Sequence, residues 1–339
     1  MTTPGPGQPL QLTTYRNASS ALLGELKNIM HHGERIAVRD HGTREVESRC
    51  FQITSPLERL VVIPHRSNNV FATVAESVWV MSGRNDVSFL KNYLPRAADF
   101  SDDGKVWRAG YGPRIRDWNG VDQVRKIYHL LKSDQNSRRA VMTIFDPDRD
   151  FVSSKDIPCN NWLHWTIRNN KLNLSIAIRS NDIIWGFSGI NTFEWSLLQE
   201  MIAHWLRLEV GVQTYFIGSL HLYDHHAARA AKLIQGNSDE RCYINAPIRH
   251  GYEGEFDNLK TDLDNWFKIE ERLRSTPLAD ERINSYPDPL LRDYLYMLRA
   301  YWVHKRGARL DETKRYLANL KGTDLEIAAN EYFERANNI

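Results

Sequence analysis

Cysteine is scarce in this 339-residue chain, with Cys50, Cys159 and Cys242 its only three. So few, odd in number and widely spaced, they argue against a disulfide framework and a structural zinc site, and they fit a reducing cytoplasm. No uninterrupted apolar run approaches the roughly 18 residues that a membrane-spanning helix needs. An excess of charge of one sign is lacking too, since 44 basic residues nearly cancel 42 acidic ones. A net charge of +2 gives no support for a basic coat on nucleic acid or a membrane surface, so any cationic site must be local. The first residues lack a basic start followed by an apolar stretch. Rich in Thr, Pro and Gly, residues 1–18 read as a disordered lead rather than a signal peptide.

What is present is apolar content of 42%, ample for a substantial core in a soluble protein. Helical spacing of Leu22, Leu26 and Ile29 predicts a helix over residues 19–30, followed by strands and a turn over 38–55. Val74, Val78 and Met81 predict a second helix over 70–81, which carries Glu76 on a largely apolar surface and stops at Gly83. Residues 92–112, with Pro95, Gly104 and Gly110, read as a long connection ending near Tyr111. A helix over 121–132 and a strand over 140–145 follow, with Arg138 and Arg139 at the strand's entrance. Residues 162–168 and 172–178 alternate as a hairpin joined by Asn169-Asn170. A loop over 181–189 and a long helix over 192–209, ending at Gly211, come next. The strand over 212–217 leads into His221 and Tyr223, which share a strand face. Beyond residue 252 the pattern is helical. This divides the chain into a lead (1–18), a catalytic core (19–250) and a helical extension packed on it (251–339).

The chemistry concentrates in two runs, Pro158-Cys159-Asn160 and Arg179-Ser180-Asn181-Asp182. A cysteine attacks as the thiolate, and a nearby guanidinium favours that form. Arg179 and Ser180, with Arg138 and Arg139, also suit a phosphate through charge-assisted hydrogen bonds. A nucleophile beside an anion clamp suggests covalent chemistry on a phosphorylated metabolite. His221, His225 and His226 invite a metal reading, but the strand-like context of His221 disfavours it, and no metal is expected.

The order of these motifs resembles the thymidylate synthase family, over about residues 21–226. Glu76-Ser77-Val78-Trp79 with Gly83 is similar to the family's Glu-bearing helix, and Tyr111-Gly112 to its tyrosine loop. Ser137-Arg138-Arg139 resembles the arginine pair that reaches across the family's dimer, Pro158-Cys159 the nucleophile loop, and His221-Leu222-Tyr223 the sugar-binding motif. Arg179 to Asp182, with Gly186 and Asn191, resembles the substrate loop. The resemblance implies an α+β fold, a mixed β-sheet flanked by helices with a helical C-terminal region, and an obligate homodimer. It implies a pyrimidine nucleoside monophosphate as substrate and 5,10-methylenetetrahydrofolate as one-carbon donor. Cys159 would add to ring C6, which makes C5 nucleophilic. Arg179 would activate the thiol and, with Ser180, Arg138, Arg139 and Arg39 (or Arg44), bind phosphate. Glu76 would relay protons, Tyr111 would assist loss of the C5 proton, and Asn191 would hydrogen-bond the base. His221 and Tyr223 would hold the sugar, and Asp182 and Gly186 would serve the folate side.

Four departures refine this reading. Asn160 follows the cysteine where the deoxyuridylate methylases usually have His, which favours an altered base. The family's tryptophan pair is absent from residues 93–99, which leaves an exocyclic methylene open to water and hence to a hydroxymethyl product. The spacing from Gly186 to Asn191 is one residue longer than usual, and the polar residues 331–339 replace an apolar closing segment. Together these resemble cytidylate (CMP) hydroxymethylases of mildiomycin-type antibiotic biosynthesis. Methylation of dUMP, hydroxymethylation of dCMP, and an inactive nucleotide- or RNA-binding family member are the alternatives.

Overall fold

The computed structural model describes residues 12–38, 41–236, 243 and 250–336. The chain opens with strand β1 (Thr13–Tyr15), helix α1 (Ala18–His32) and the hairpin β2 (Glu34–Val38) and β3 (His41–Ile53). The expected disordered lead is therefore ordered in part: Thr13–Tyr15 pairs in parallel with Phe51–Ile53, and Asn17 caps α1 through Ser20. Next come α2 (Val70–Met81), α3 (Val87–Leu90), α4 (Tyr111–Arg116), α5 (Gln123–Ser133), β4 (Val141–Thr143) and α6 (Pro147–Asp150).

The hairpin expected around Asn169-Asn170 is β5 (Asn160–Arg168) and β6 (Lys171–Asp182). Both asparagines have positive φ, 53° and 59°, the conformation that a tight two-residue turn between strands requires. In β6, Leu172, Leu174, Ile176 and Ile178 are buried, alternating with partly exposed Asn173, Ser175 and Ala177. After a π-helical segment (Ile183–Asn191) come α7 (Thr192–Leu206), β7 (Glu209–Tyr223) and α8 (Ala227–Gly236). Helix α7 stops earlier than expected, because Arg207 takes the left-handed conformation at φ 57° and its N–H bonds back to the last turn. Gly211 lies instead in β7, where a Cβ would come 2.2 Å from Asn173 Oδ1.

The seven-stranded sheet runs β1-β3-β7-β6-β5-β4, with β2 paired to β3. It is mixed: β6 and β7 are parallel, and β3–β7, β5–β6 and β4–β5 are antiparallel. A parallel pair needs a crossover, supplied here by the π segment and α7. This is the α+β class expected. Every residue of α2 is buried, as is α7 from Thr192 to Ala203, so both are core helices rather than surface ones.

Helices α9 (Leu259–Ser275), α10 (Asp280–Asn284), α11 (Pro289–Lys305), α12 (Leu310–Arg315) and α13 (Asp324–Ala336) complete the chain. Asp288 caps α11 by accepting from Leu291 N, with Pro289 in its first turn. Phe71 of α2 packs against Tyr301 of α11 at 4.8 Å and Phe333 of α13 at 5.1 Å between ring centroids. Among the described residues no helix is long and apolar enough to cross a membrane.

Candidate active site

Cys159 sits half-buried just ahead of β5, with Arg179 of β6 beside it. The backbone N–H of Arg179 donates to Cys159 O at 2.9 Å. Its guanidinium donates to Pro158 O at 2.9 Å and Ile157 O at 3.0 Å, and its Nη2 lies 3.8 Å from Cys159 Sγ. One side chain thus fixes the bend of the nucleophile loop and places a cation against the sulfur.

Behind the cysteine, Asn160 is fully buried and both ends of its amide are engaged. Its Nδ2 donates to Tyr111 Oη at 2.7 Å, and its Oδ1 accepts from Trp195 Nε1 at 3.1 Å. The rings of Tyr111 and Trp195 lie 5.3 Å apart. Because the Tyr111 oxygen accepts from Asn160, its own proton is left for another acceptor. Burial, and then negative charge at Cys159 and Glu194, push the phenol far above its ordinary pKa, so Tyr111 stays a neutral donor.

Glu76 of α2 is 8% exposed, and no hydrogen bond or ion pair reaches its carboxylate among the described residues. Burial, and then the charge of Glu194, push it well above the usual carboxylate range. Glu194, in the first turn of α7, is fully buried and pushed up to about 8 by burial, against a weak bond from Asn191 Nδ2 at 3.5 Å.

The substrate loop continues along β6. Ser180 is half-buried, and Asp182 starts the π segment by accepting from Ile184 N at 2.9 Å. The longer Gly186-to-Asn191 spacing is absorbed as wide π turns, in which Thr192 N–H bonds to Phe187 O. Gly186 lacks a side chain for a reason: a Cβ there would lie 2.3 Å from Asn181 Oδ1. On the neighbouring strand Asp182 pairs in register with His221, and the His221 and Tyr223 rings meet edge to face at 5.3 Å.

The expected phosphate arginines are not all brought together in one chain. Arg138 and Arg139 are exposed, and neither guanidinium has a partner among the described residues. They precede β4, and Ala140 bonds opposite Trp165, six residues along β5 from Cys159, roughly 20 Å at strand rise. Arg39 lies outside the described residues. Arg44, its alternative, donates to Met30 O at 3.1 Å.

Residues 21–262 match the family model described as thymidylate synthase. The chain belongs to the thymidylate synthase family. It is 37% identical over 223 residues to a deoxyuridylate hydroxymethyltransferase of Bacillus phage SP01, covering 62% of this chain and 58% of that protein. The match therefore spans less than two thirds of the phage protein's length. A deoxyuridylate hydroxymethyltransferase of Delftia phage PhiW-14 is 29% identical over 342 residues, 94% of each chain. A thymidylate synthase of Bacillus licheniformis is 32% identical over 197 residues, 55% of this chain and 70% of that one. Two of these relatives carry deoxyuridylate hydroxymethyltransferase names and the third a thymidylate synthase name, so they give no support to the cytidylate substrate or the antibiotic-pathway context expected from the sequence.

Within this thymidylate synthase scaffold, two expectations change in detail. The segment without the tryptophan pair is not bare of indole: Trp107 donates from Nε1 to Ala97 O at 2.8 Å and packs on Trp79 at 5.7 Å. Of the polar segment 331–339, residues 331–336 lie in α13 and clasp a loop of the core, with Glu331 accepting from Ser67 N and Arg335 donating to Ser67 O, while 337–339 lie outside the described residues. Sequence reasoning missed Glu194 and Trp195. The signal was available in Phe193-Glu194-Trp195, a carboxylate inside an apolar helix, the same pattern that singled out Glu76. Among the described residues no group of three or more His, Cys, Asp or Glu stands close enough to hold a metal.

Proposed function

We propose that this protein transfers a one-carbon unit to C5 of a pyrimidine nucleoside monophosphate and releases the 5-hydroxymethyl product, with deoxyuridylate as the preferred substrate. The observation that carries the reading is the Arg179 guanidinium against Cys159 Sγ, in a site closed by Tyr111 and two buried glutamates. The Cys159 thiolate adds at C6, and the electrons of the C5=C6 bond pass toward C4, which makes C5 nucleophilic. 5,10-Methylenetetrahydrofolate supplies the electrophilic carbon when bound. Tyr111 assists removal of the C5 proton, Glu76 carries protons at the ring, and Asn191 reads the base. Asn160 acts through Tyr111, since its own amide is spent on Tyr111 and Trp195. Loss of the C5 proton and departure of tetrahydrofolate would leave an exocyclic methylene on C5; water then adds to that methylene, the C5=C6 bond re-forms, and the thiolate leaves C6.

Arg179 and Ser180 bind the phosphate, Arg39 adds to the clamp, and His221 and Tyr223 hold the sugar. The folate side fits what is present: Asp182 has a carboxylate oxygen to spare, Gly186 keeps the loop narrow, and Trp185, 41% exposed, offers a face for a pterin. We also propose a homodimer. One sheet face carries Val141, 47% exposed, and Phe216, 43% exposed and packed on Trp162, a surface that a second copy would cover. Arg138 and Arg139 of the partner subunit would then complete the phosphate clamp. A cytosine nucleotide is the second reading, because Glu194 Oε1 is a buried acceptor without a partner and suits a 4-amino group.

The test is product analysis with 5,10-methylenetetrahydrofolate and C5-tritiated dUMP or CMP. Tritium release with a hydroxymethyl nucleotide and no dihydrofolate supports the reading. Thymidylate formed in step with dihydrofolate replaces it by methylation.

A further inference from the structure

Helices α2 and α7 pack together in the core, and Glu76 and Glu194, both buried, lie near enough for one charge to act on the other, with no cation among the described residues to serve either. The arginines near these elements are committed elsewhere. Arg59 pairs with Glu200, further along α7, and Arg66 donates to Ile184 O and Ser188 Oγ of the π segment. Tyr111 from α4 and Asn191 from the π segment face Glu194, and Cys159, from the loop before β5, lies close to Tyr111. Asn160 and Trp195 are neutral and hydrogen-bonded to each other. Every titratable neighbour is therefore negative when ionised. Among the described residues, Glu194 Oε1 has no hydrogen-bond partner, and Oε2 has only the long contact with Asn191. Two carboxylates so placed cannot both ionise.

We propose that Glu194 is the second member of an acid pair with Glu76, that the two retain a proton between them, and that this proton serves the 4-substituent side of the pyrimidine. The proposal rests on the reading of this site as a pyrimidine site. As the S–C6 bond forms, the C5=C6 electrons move onto the C4 oxygen of a uracil, or N3 of a cytosine, and the pair's proton moves toward that atom. When the S–C6 bond breaks, the proton returns, so none is consumed. Glu194 acts through Glu76 and Asn191, and is a positioning residue and proton store.

Two measurements on Glu194→Gln test this. The first needs no substrate: infrared titration of the intact protein, labelled in its glutamate carboxyls. Wild type should keep a protonated-acid band at pH 7 that titrates out near the value to which Glu194 is pushed, about 8. In Glu194→Gln the remaining band, from Glu76, should titrate at a lower pH than in wild type, because burial still raises Glu76 but the like charge of Glu194 is gone. The second is turnover. Activity needs the protonated pair, so it is present below the pair's pKa and lost above it. The variant should lose about 100-fold in kcat, with KM for the nucleotide within about threefold, and its alkaline limb should move down with the band. Unchanged kcat and an unmoved limb would overturn the proposal, as would a wild-type protein with no protonated band at pH 7. A band that behaves as expected in a protein that turns over no pyrimidine nucleotide would support the pair and overturn the substrate reading instead.

Discussion

The guanidinium of Arg179 touches the sulfur of Cys159 at 3.8 Å while donating to the carbonyls of the two residues before it. A planar fork meets three acceptors at once, which a point charge cannot. Arg179→Lys should therefore slow alkylation of Cys159 at neutral pH and lower kcat/KM by about 100-fold or more, about 3 kcal/mol. Iodoacetamide kinetics and steady-state turnover measure the two effects. Alkylation at the wild-type rate would show that Arg179 serves phosphate alone.

Tyr111→Phe removes the hydroxyl that Asn160 Nδ2 donates to, and with it the neutral donor beside the sulfur. A fall in kcat of about 10²–10⁴-fold is expected, with nucleotide binding retained by calorimetry. Loss of binding in proportion to kcat would make Tyr111 a packing residue.

Asp150 sets the stability of the wall behind this loop. Arg114, fully buried, donates to both its oxygens at 2.7 and 2.8 Å and to Ile144 O at 2.7 Å. Asp150→Asn leaves that guanidinium without its counter-charge, and should cost about 3–5 kcal/mol in denaturant unfolding. A loss below about 1 kcal/mol would mean that the pair contributes little.

Stability should peak in mildly acid solution. Burial pushes Asp288 and Asp324 up to about 6. Such raised carboxyls bind protons more tightly when folded, so their contribution is complete below about 4 and is lost as pH rises through 6. Asp86 and Asp150 work the other way. Burial would raise both, but hydrogen bonds from Arg84 and Ser88 hold Asp86 down at about 2, and those from Arg114 hold Asp150 below its usual range. Their contribution is present above about 4 and is lost as pH falls through the lowered values. Thermal unfolding should show Tm highest at about pH 4, where both contributions are in full, and falling on both sides. A Tm that rises steadily from pH 5 to 8 would contradict the balance.

Local chemistry was legible where side chains and backbone agree. Asn169-Asn170 named its turn because two adjacent positive φ angles suit few other residues. The stripe Val74, Val78, Met81 marked α2, since its period is that of a helix. What escaped the sequence depended on partners distant in the chain. Asn160 read as a group facing the base, yet Trp195, thirty-five residues on, takes its carbonyl and turns it inward. The loop expected after Asn181 is a π-helical segment, Ile183–Asn191, whose wide turns leave no ordinary helical period to read. Glu194 was hidden inside an apolar period, where the same spacing also describes an ordinary core helix.

The central claim is that Cys159 attacks pyrimidine C6. A 5-fluoro nucleotide tests it directly, because fluorine cannot leave C5 as the proton does and the adduct stays on the enzyme. Intact-mass spectrometry with 5-fluoro-dUMP and 5,10-methylenetetrahydrofolate should give a protein heavier by nucleotide plus folate. Peptide mapping should place the adduct on Cys159, and Cys159→Ser should give none. Full turnover of dUMP or CMP by the Cys159→Ser protein, or an adduct on another residue, would contradict the account.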